Sequence, residues 1–274
     1  MGQPRFRTIL LDALREFAAH GYTTEAALQD WLLRLHAALD AELPSDAFTR
    51  QEMAATLDRI FARQVERGGI QDRVPGVTRY TLDMVAPSLR AELDRRIFAG
   101  VDLIRLNRAA AVQKTLQRFA GWTTSVGPKG SFVTPRELRA ISAEIAKPVA
   151  QIKFEKRRVA IDQGHKLIAA VAHVVAQGAG AIGAIWHDRG EHDHGYDARP
   201  EHLKRSGTLF LVRDSWAMTE GLVRKAGLKY TDEIEQPAEF PFCSCSYEYV
   251  TSPRSLPETV LTAKGREWVS APRP

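Results

Sequence analysis

The sequence predicts an α+β protein: an extended, mainly α-helical N-terminal region followed by a small α+β domain. Three observations lead there. In the first half, apolar residues recur at three- and four-residue steps, the period of a helix with one buried face. Helix-start signals precede several of those runs. Beyond Gly180 the texture changes to short apolar stretches separated by glycine, proline and charge, which reads as strands and turns. The expected organisation is a helical region over 1–150, an α+β domain over 151–255 and a surface tail over 256–274.

The elements follow in order. Leu28, Trp31, Leu32, Leu35 and Leu39 share one helical face. Thr49 and Glu52 have capping-box spacing ahead of Met53, Leu57, Ile60 and Phe61, so a second helix is expected to start there. Pro87 suits a first turn, and Leu89, Leu93, Ile97, Val101 and Ile104 continue the period, predicting a long helix over about 87–120 that packs on helices of its own chain or of a partner. Residues 121–130 read as a loop. Thr134, Pro135 and Glu137 supply a cap, a first-turn proline and a capping-box carboxylate, and Pro148 should kink or end the helix they start. Another helix is expected over 151–176 with Gly178 at its C-cap. Strands are expected over 181–186, 209–212 and 243–250, with a helix over 215–226.

Composition narrows the functional classes. The chain has 274 residues, of which 44% are hydrophobic and 26% charged, enough of each for an ordinary globular core. Its formal net charge of +5 suits contact with a polyanion without requiring one. No run of about 18 apolar residues suggests a membrane span, and the N-terminal residues do not read as a secretion signal. A soluble protein made in a cytoplasm is expected. Cys243 and Cys245 are the only cysteines, and a disulfide between residues so close would be strained, so reduced thiols or metal ligands are expected.

The candidate chemistry lies in the last third. His202 and one of His192 or His194 could join Cys243 and Cys245 in a Cys2His2 set for zinc. Alternatively, the cysteines are small buried residues and His202 hydrogen-bonds locally. His20, His36, His165 and His173 read as packing or surface residues. Lys153, Lys156, Arg157 and Arg158 cluster at a helix start, and Lys204 and Arg205 adjoin His202. Either group could meet phosphates, or form a solvated face paired with carboxylates.

A metal-dependent nuclease built on His192, His194 and His202 is the rival enzymatic reading. An HNH arrangement would want an asparagine between its histidines, whereas the one asparagine is Asn107, far upstream. Neither a Gly-X-Ser-X-Gly turn nor a phosphate-binding Gly-rich loop is found. A DNA-binding regulator is a third reading, and it would show steep salt-dependent affinity for duplex.

Trp186, then Arg199 and His202, then Gly207, and finally Pro241, Cys243 and Cys245 stand in the order seen in a known family. In this respect the chain resembles the MuF-like head morphogenesis proteins of tailed phages such as Mu and SPP1. It departs from their pattern in having Ser244 between the cysteines and a histidine-bearing insert, with His187, His192 and His194, after Trp186. The likeness covers about 150–250. It implies a small α+β MuF-like domain and a non-enzymatic minor capsid protein of the virion, assembled in the host cytoplasm. The implied partners are portal and capsid proteins, with non-specific contact to packaged DNA and no membrane. The implied roles are head assembly, genome packaging or DNA ejection, and no catalytic residue is carried over.

Overall fold

The computed structural model describes residues 5–188, 199–241 and 243–272. Among them run helices α1 (Phe6–His20), α2 (Glu25–Glu42), α3 (Asp46–Val65), α4 (Arg79–Ser125), α5 (Pro135–Ala150) and α6 (Ile152–Gly178). Strand β1 (Gly183–His187), helix α7 (Pro200–Arg205), strand β2 (Leu209–Leu211), helix α8 (Trp216–Thr219), strand β3 (Ser246–Val250) and helix α9 (Ala263–Ser270) follow. The class is α+β, mostly helical with one small sheet. No helix among the described residues is long and apolar enough to cross a membrane.

Two compact units emerge, and they do not follow chain order. One comprises Met1–Glu52 and Gly100–Val159, the other Met53–Ala99 and Ala160–Pro274. The boundary expected near residue 150 is therefore replaced by a division that falls inside α3, α4 and α6. A helix long enough to exceed one core contributes different stretches of its length to different cores, which periodicity alone cannot reveal.

In the first unit the apolar faces of α1 and α2 build the core. Phe6, Leu10, Leu14 and Phe17 of α1 are buried with Leu28, Trp31 and Leu35 of α2, Phe119 of α4, and Leu138 and Ile145 of α5. Along α1 and α2 these fall at i, i+3, i+4 and i+7 spacings, which put one stripe inward. Phe17 meets Phe119 edge to face with ring centroids 6.0 Å apart.

Local signals were sound where nothing distant competed with them. Thr134 caps α5: its hydroxyl accepts from the backbone N–H of Glu137, whose carboxylate accepts from the backbone N–H of Thr134 at 2.8 Å. The Thr49–Glu52 expectation is corrected, because α3 starts at Asp46 and Ser45 accepts from the Phe48 N–H. Thr49 is 1% exposed inside the helix, and its hydroxyl accepts from Arg108 at 2.9 Å. Glu52 instead meets Lys156.

The long helix begins earlier and ends later than expected. Arg79–Ser125 forms α4, with Pro87 inside it. A proline there removes one backbone donor and crowds the preceding turn, but Leu82, Leu89, Leu93 and Ile97 are buried along this stretch and hold it helical. Leu89, Leu93 and Ile97 thus pack within their own chain. Residues 121–125, expected in a loop, finish the helix. α5 ends at Ala150, just past Pro148. Gly178 is the last residue of α6, and the left-handed position is Gly180, with φ +70°.

The second unit carries the sheet. Its order is β2-β1-β3, with both pairings antiparallel. Trp186 stands opposite Tyr247, and Ala184 lies between Phe210 and Tyr249. The Tyr249 N–H donates to the Arg73 carbonyl at 2.7 Å, so part of the outer edge of β3 is occupied by the chain between α3 and α4. Ile182, Leu211, Val250, Leu256, Val260 and Leu261 form a core with Ala217, Leu222 and Val223.

Two further expectations change here. α8 has four residues in place of the helix expected over 215–226, and Gly221 then takes φ +70° and turns the chain. Residues 256–272 do not form a surface arm. Leu256, Val260 and Leu261 are buried, and α9 starts from Thr262, whose hydroxyl accepts from the Gly265 N–H at 3.0 Å. Prolines and basic residues suggested an arm, yet they alternate with leucines and a valine that the small sheet needs in order to bury its face.

Candidate metal centre

The site is built on the end of β1. Trp186, fully buried, exchanges backbone hydrogen bonds with the turn after α7: its N–H donates to the Thr208 carbonyl at 3.0 Å, and its carbonyl accepts from Gly207 at 2.8 Å. Gly207 has φ +77°, a conformation glycine adopts without the Cβ clash other residues meet. Arg199 precedes α7, Pro200 opens the helix, and His202 follows on its first turn, 4% exposed. Its ring meets Trp186 edge to face at 5.1 Å.

The ribbon before β3 brings the thiols. Cys243 and Cys245 precede the strand, which starts at Ser246, so the strand expected over 243–250 is shorter by three residues. Both cysteines nevertheless face His202. Nδ1 of His202 lies 3.5 Å from Cys243 Sγ and 3.6 Å from Cys245 Sγ. The ligand atoms of all three residues lie within 4.8 Å of one another, and all three residues are buried. This buried His202–Cys243–Cys245 group could hold a metal ion. His192 and His194, expected to complete it, lie outside the described residues.

The surroundings push the two thiols in opposite directions. The Cys245 thiol hydrogen-bonds to Cys243 and, with the backbone N–H groups of Ala238 and Cys245, holds Cys243 well below the usual thiol range against the opposing effect of burial. The same thiol pairing, then burial, pushes Cys245 up. The Trp186 indole N–H is buried and forms no hydrogen bond of full geometry, but it lies where it favours a charged Cys245. Phe240 stacks beneath the Arg199 guanidinium at 4.3 Å and lies 6.2 Å from the His202 ring. Arg205 lies over Trp186 at 5.3 Å and pairs with Glu235.

Residues named for nucleic-acid contact divide into two kinds. Lys156 meets Glu52, Arg158 meets Glu155 at 3.3 Å, Lys204 meets Glu201 at 3.7 Å and Arg205 meets Glu235. Lys153 and Arg157 are exposed on α6 with no carboxylate in ion-pair range among the described residues. Sequence reasoning missed Asp188, whose Oδ1 lies 3.8 Å from Cys245 Sγ. The available signal was its position two residues after Trp186, where β1 ends.

No family model, curated protein or solved structure matches this chain.

Proposed function

We propose that this chain is a MuF-like minor head protein of a tailed phage. On this reading it is non-enzymatic, associates with the portal or the inner face of the head, and acts in head assembly, genome packaging or DNA ejection. One observation carries the reading. Trp186, His202, Gly207, Cys243 and Cys245, scattered over sixty residues of sequence, meet around the end of one strand. Arg199 reaches the same place through Phe240, the neighbour of Pro241.

Zinc is the ion this group suits. Thiolates and an imidazole nitrogen are its preferred donors, and tetrahedral coordination with Zn–S near 2.3 Å and Zn–N near 2.05 Å sets the sulfur-to-nitrogen edge at about 3.6 Å. Both observed edges, 3.5 and 3.6 Å, fit that value. A zinc ion would tie α7 to the ribbon before β3 and stabilise a unit whose sheet has three short strands among the described residues. Burial of His202 between two sulfurs suits holding an ion better than activating water on an accessible phosphodiester. Of the six cations named for nucleic-acid contact, Lys153 and Arg157 have no carboxylate in ion-pair range among the described residues, and on this reading they meet the phosphates of packaged DNA without sequence preference.

Fractionation of intact particles tests the assignment. The chain should co-purify with heads and with the portal. Its absence from particles, or DNA cleavage by the purified chain that His202→Ala abolishes, would sink the reading. Elemental analysis should find one zinc per chain, lost in Cys243→Ser. Zinc at about one hundred times its dissociation constant should add roughly 2.7 kcal/mol of stability, removable by a chelator.

A further inference from the structure

We infer that Asp188 is the fourth ligand of the zinc ion, making a closed Cys243–Cys245–His202–Asp188 centre. This rests on the zinc reading above and extends it to the position that decides whether such a centre is structural or hydrolytic. A structural zinc has four protein ligands, whereas a catalytic one keeps a position for water.

The geometry favours the carboxylate. Asp188 directly follows His187, the last residue of β1, and its Oδ1 is 3.8 Å from Cys245 Sγ. Its backbone N–H donates to the Ser206 hydroxyl at 3.4 Å, so its main chain is held to the end of the helix that carries His202. For Zn–S near 2.3 Å and Zn–O near 2.0 Å, the tetrahedral sulfur-to-oxygen edge is about 3.5 Å, and a small rotation about the Asp188 side-chain bonds covers the difference. The Asp188 carboxylate does not lie within 4.8 Å of all three other ligand atoms at once. It needs that rotation toward His202 and Cys243.

Charge points the same way. With a divalent ion among them, two thiolates and a carboxylate become mutually compatible, and a neutral imidazole completes the set with a net charge of about −1. The ion then joins three pieces of chain: the end of β1 through Asp188, α7 through His202, and the ribbon before β3 through the cysteines. A residue that terminates a strand next to a fully buried tryptophan is well held for this purpose.

The test uses the full chain with Zn2+ and with Co2+ as its spectroscopic substitute. Asp188→Ala should weaken zinc binding at least about tenfold, since loss of groups that merely orient ligands already costs ten- to a hundredfold. Asp188→Cys should raise the thiolate-to-cobalt charge-transfer band by about half, three thiolates replacing two. Circular dichroism confirms that each variant is folded, and Asp188→Cys decides the matter should Asp188→Ala fail to fold. Zinc affinity within twofold of the parent in Asp188→Ala, with an unchanged band in Asp188→Cys, would overturn the role of Asp188 and leave the other three ligands standing. Failure of the parent chain to bind either metal, or full binding by Cys243→Ser, would overturn the zinc reading itself.

Discussion

Replacing Trp186 by alanine should loosen the candidate centre more than any other single truncation around it. The side chain is fully buried and meets His202 at 5.1 Å and Tyr247 at 5.5 Å, both edge to face. Burying about 200 Å² of indole at about 25 cal/mol per Å² stabilises the fold by about 5 kcal/mol as an upper bound, and buried tryptophan truncations lose about 3–5 kcal/mol. The reactivity of Cys243 and Cys245, 7% and 6% exposed, reports local opening of this unit. With chelator present, so that free thiols are compared, their labelling rate should rise by roughly two to three and a half powers of ten. A double-mutant cycle with Tyr247→Leu should return a coupling of about 0.5–1.5 kcal/mol. Labelling within threefold of the parent would refute the argument, because it would mean that the indole does not hold the thiol ribbon in place.

Three further outcomes follow from the same geometry. Gly207→Ala should cost about 1–2 kcal/mol in urea unfolding, because a Cβ is strained at φ +77°, and Gly207→Asn should cost less, since asparagine tolerates this region better. Thr134→Ala should cost about 1 kcal/mol through the lost α5 cap; by NMR titration the Glu137 carboxyl, now held below its usual range chiefly by the Thr134 hydroxyl, should rise toward its ordinary value. The Glu233 carboxyl accepts from the Tyr230 N–H and from Lys225, which hold it at about 2 in the folded chain. Its contribution is complete above the ordinary value near 4.5 and is lost as pH falls through about 2, so urea midpoints for Glu233→Gln should vary less over that window than the parent's.

Much of the helical half was legible because its signals are local. The Thr134 capping box involves residues three apart, and the sequence places them correctly whatever the rest of the chain does. Thr49 and Glu52 show the opposite case. Their spacing satisfied the same rule, but Ser45 took the capping role while Arg108, fifty-nine residues away, claimed the Thr49 hydroxyl. Pro87 failed as a boundary marker for a related reason: the buried leucines on both sides of it outweigh one lost backbone hydrogen bond. At the centre, residue types suggested metal chemistry without saying which donors meet. Asp188 drew no notice, because an aspartate at the end of a strand is common and its meaning depends on a thiol fifty-seven residues later.

What the amino-acid order determined by itself is therefore the inventory: amphipathic helices, a short sheet after Gly180, and both thiols in the last third. Those follow from periodicity, backbone preference and side-chain chemistry, all of which act over a few residues. Only the folded chain decided that cores would cut across α3, α4 and α6, that Leu256, Val260 and Leu261 would be buried, and that His202 would face both sulfurs. Such outcomes depend on burying apolar surface between segments far apart in sequence, and no short window of residues contains the partner that makes one arrangement win.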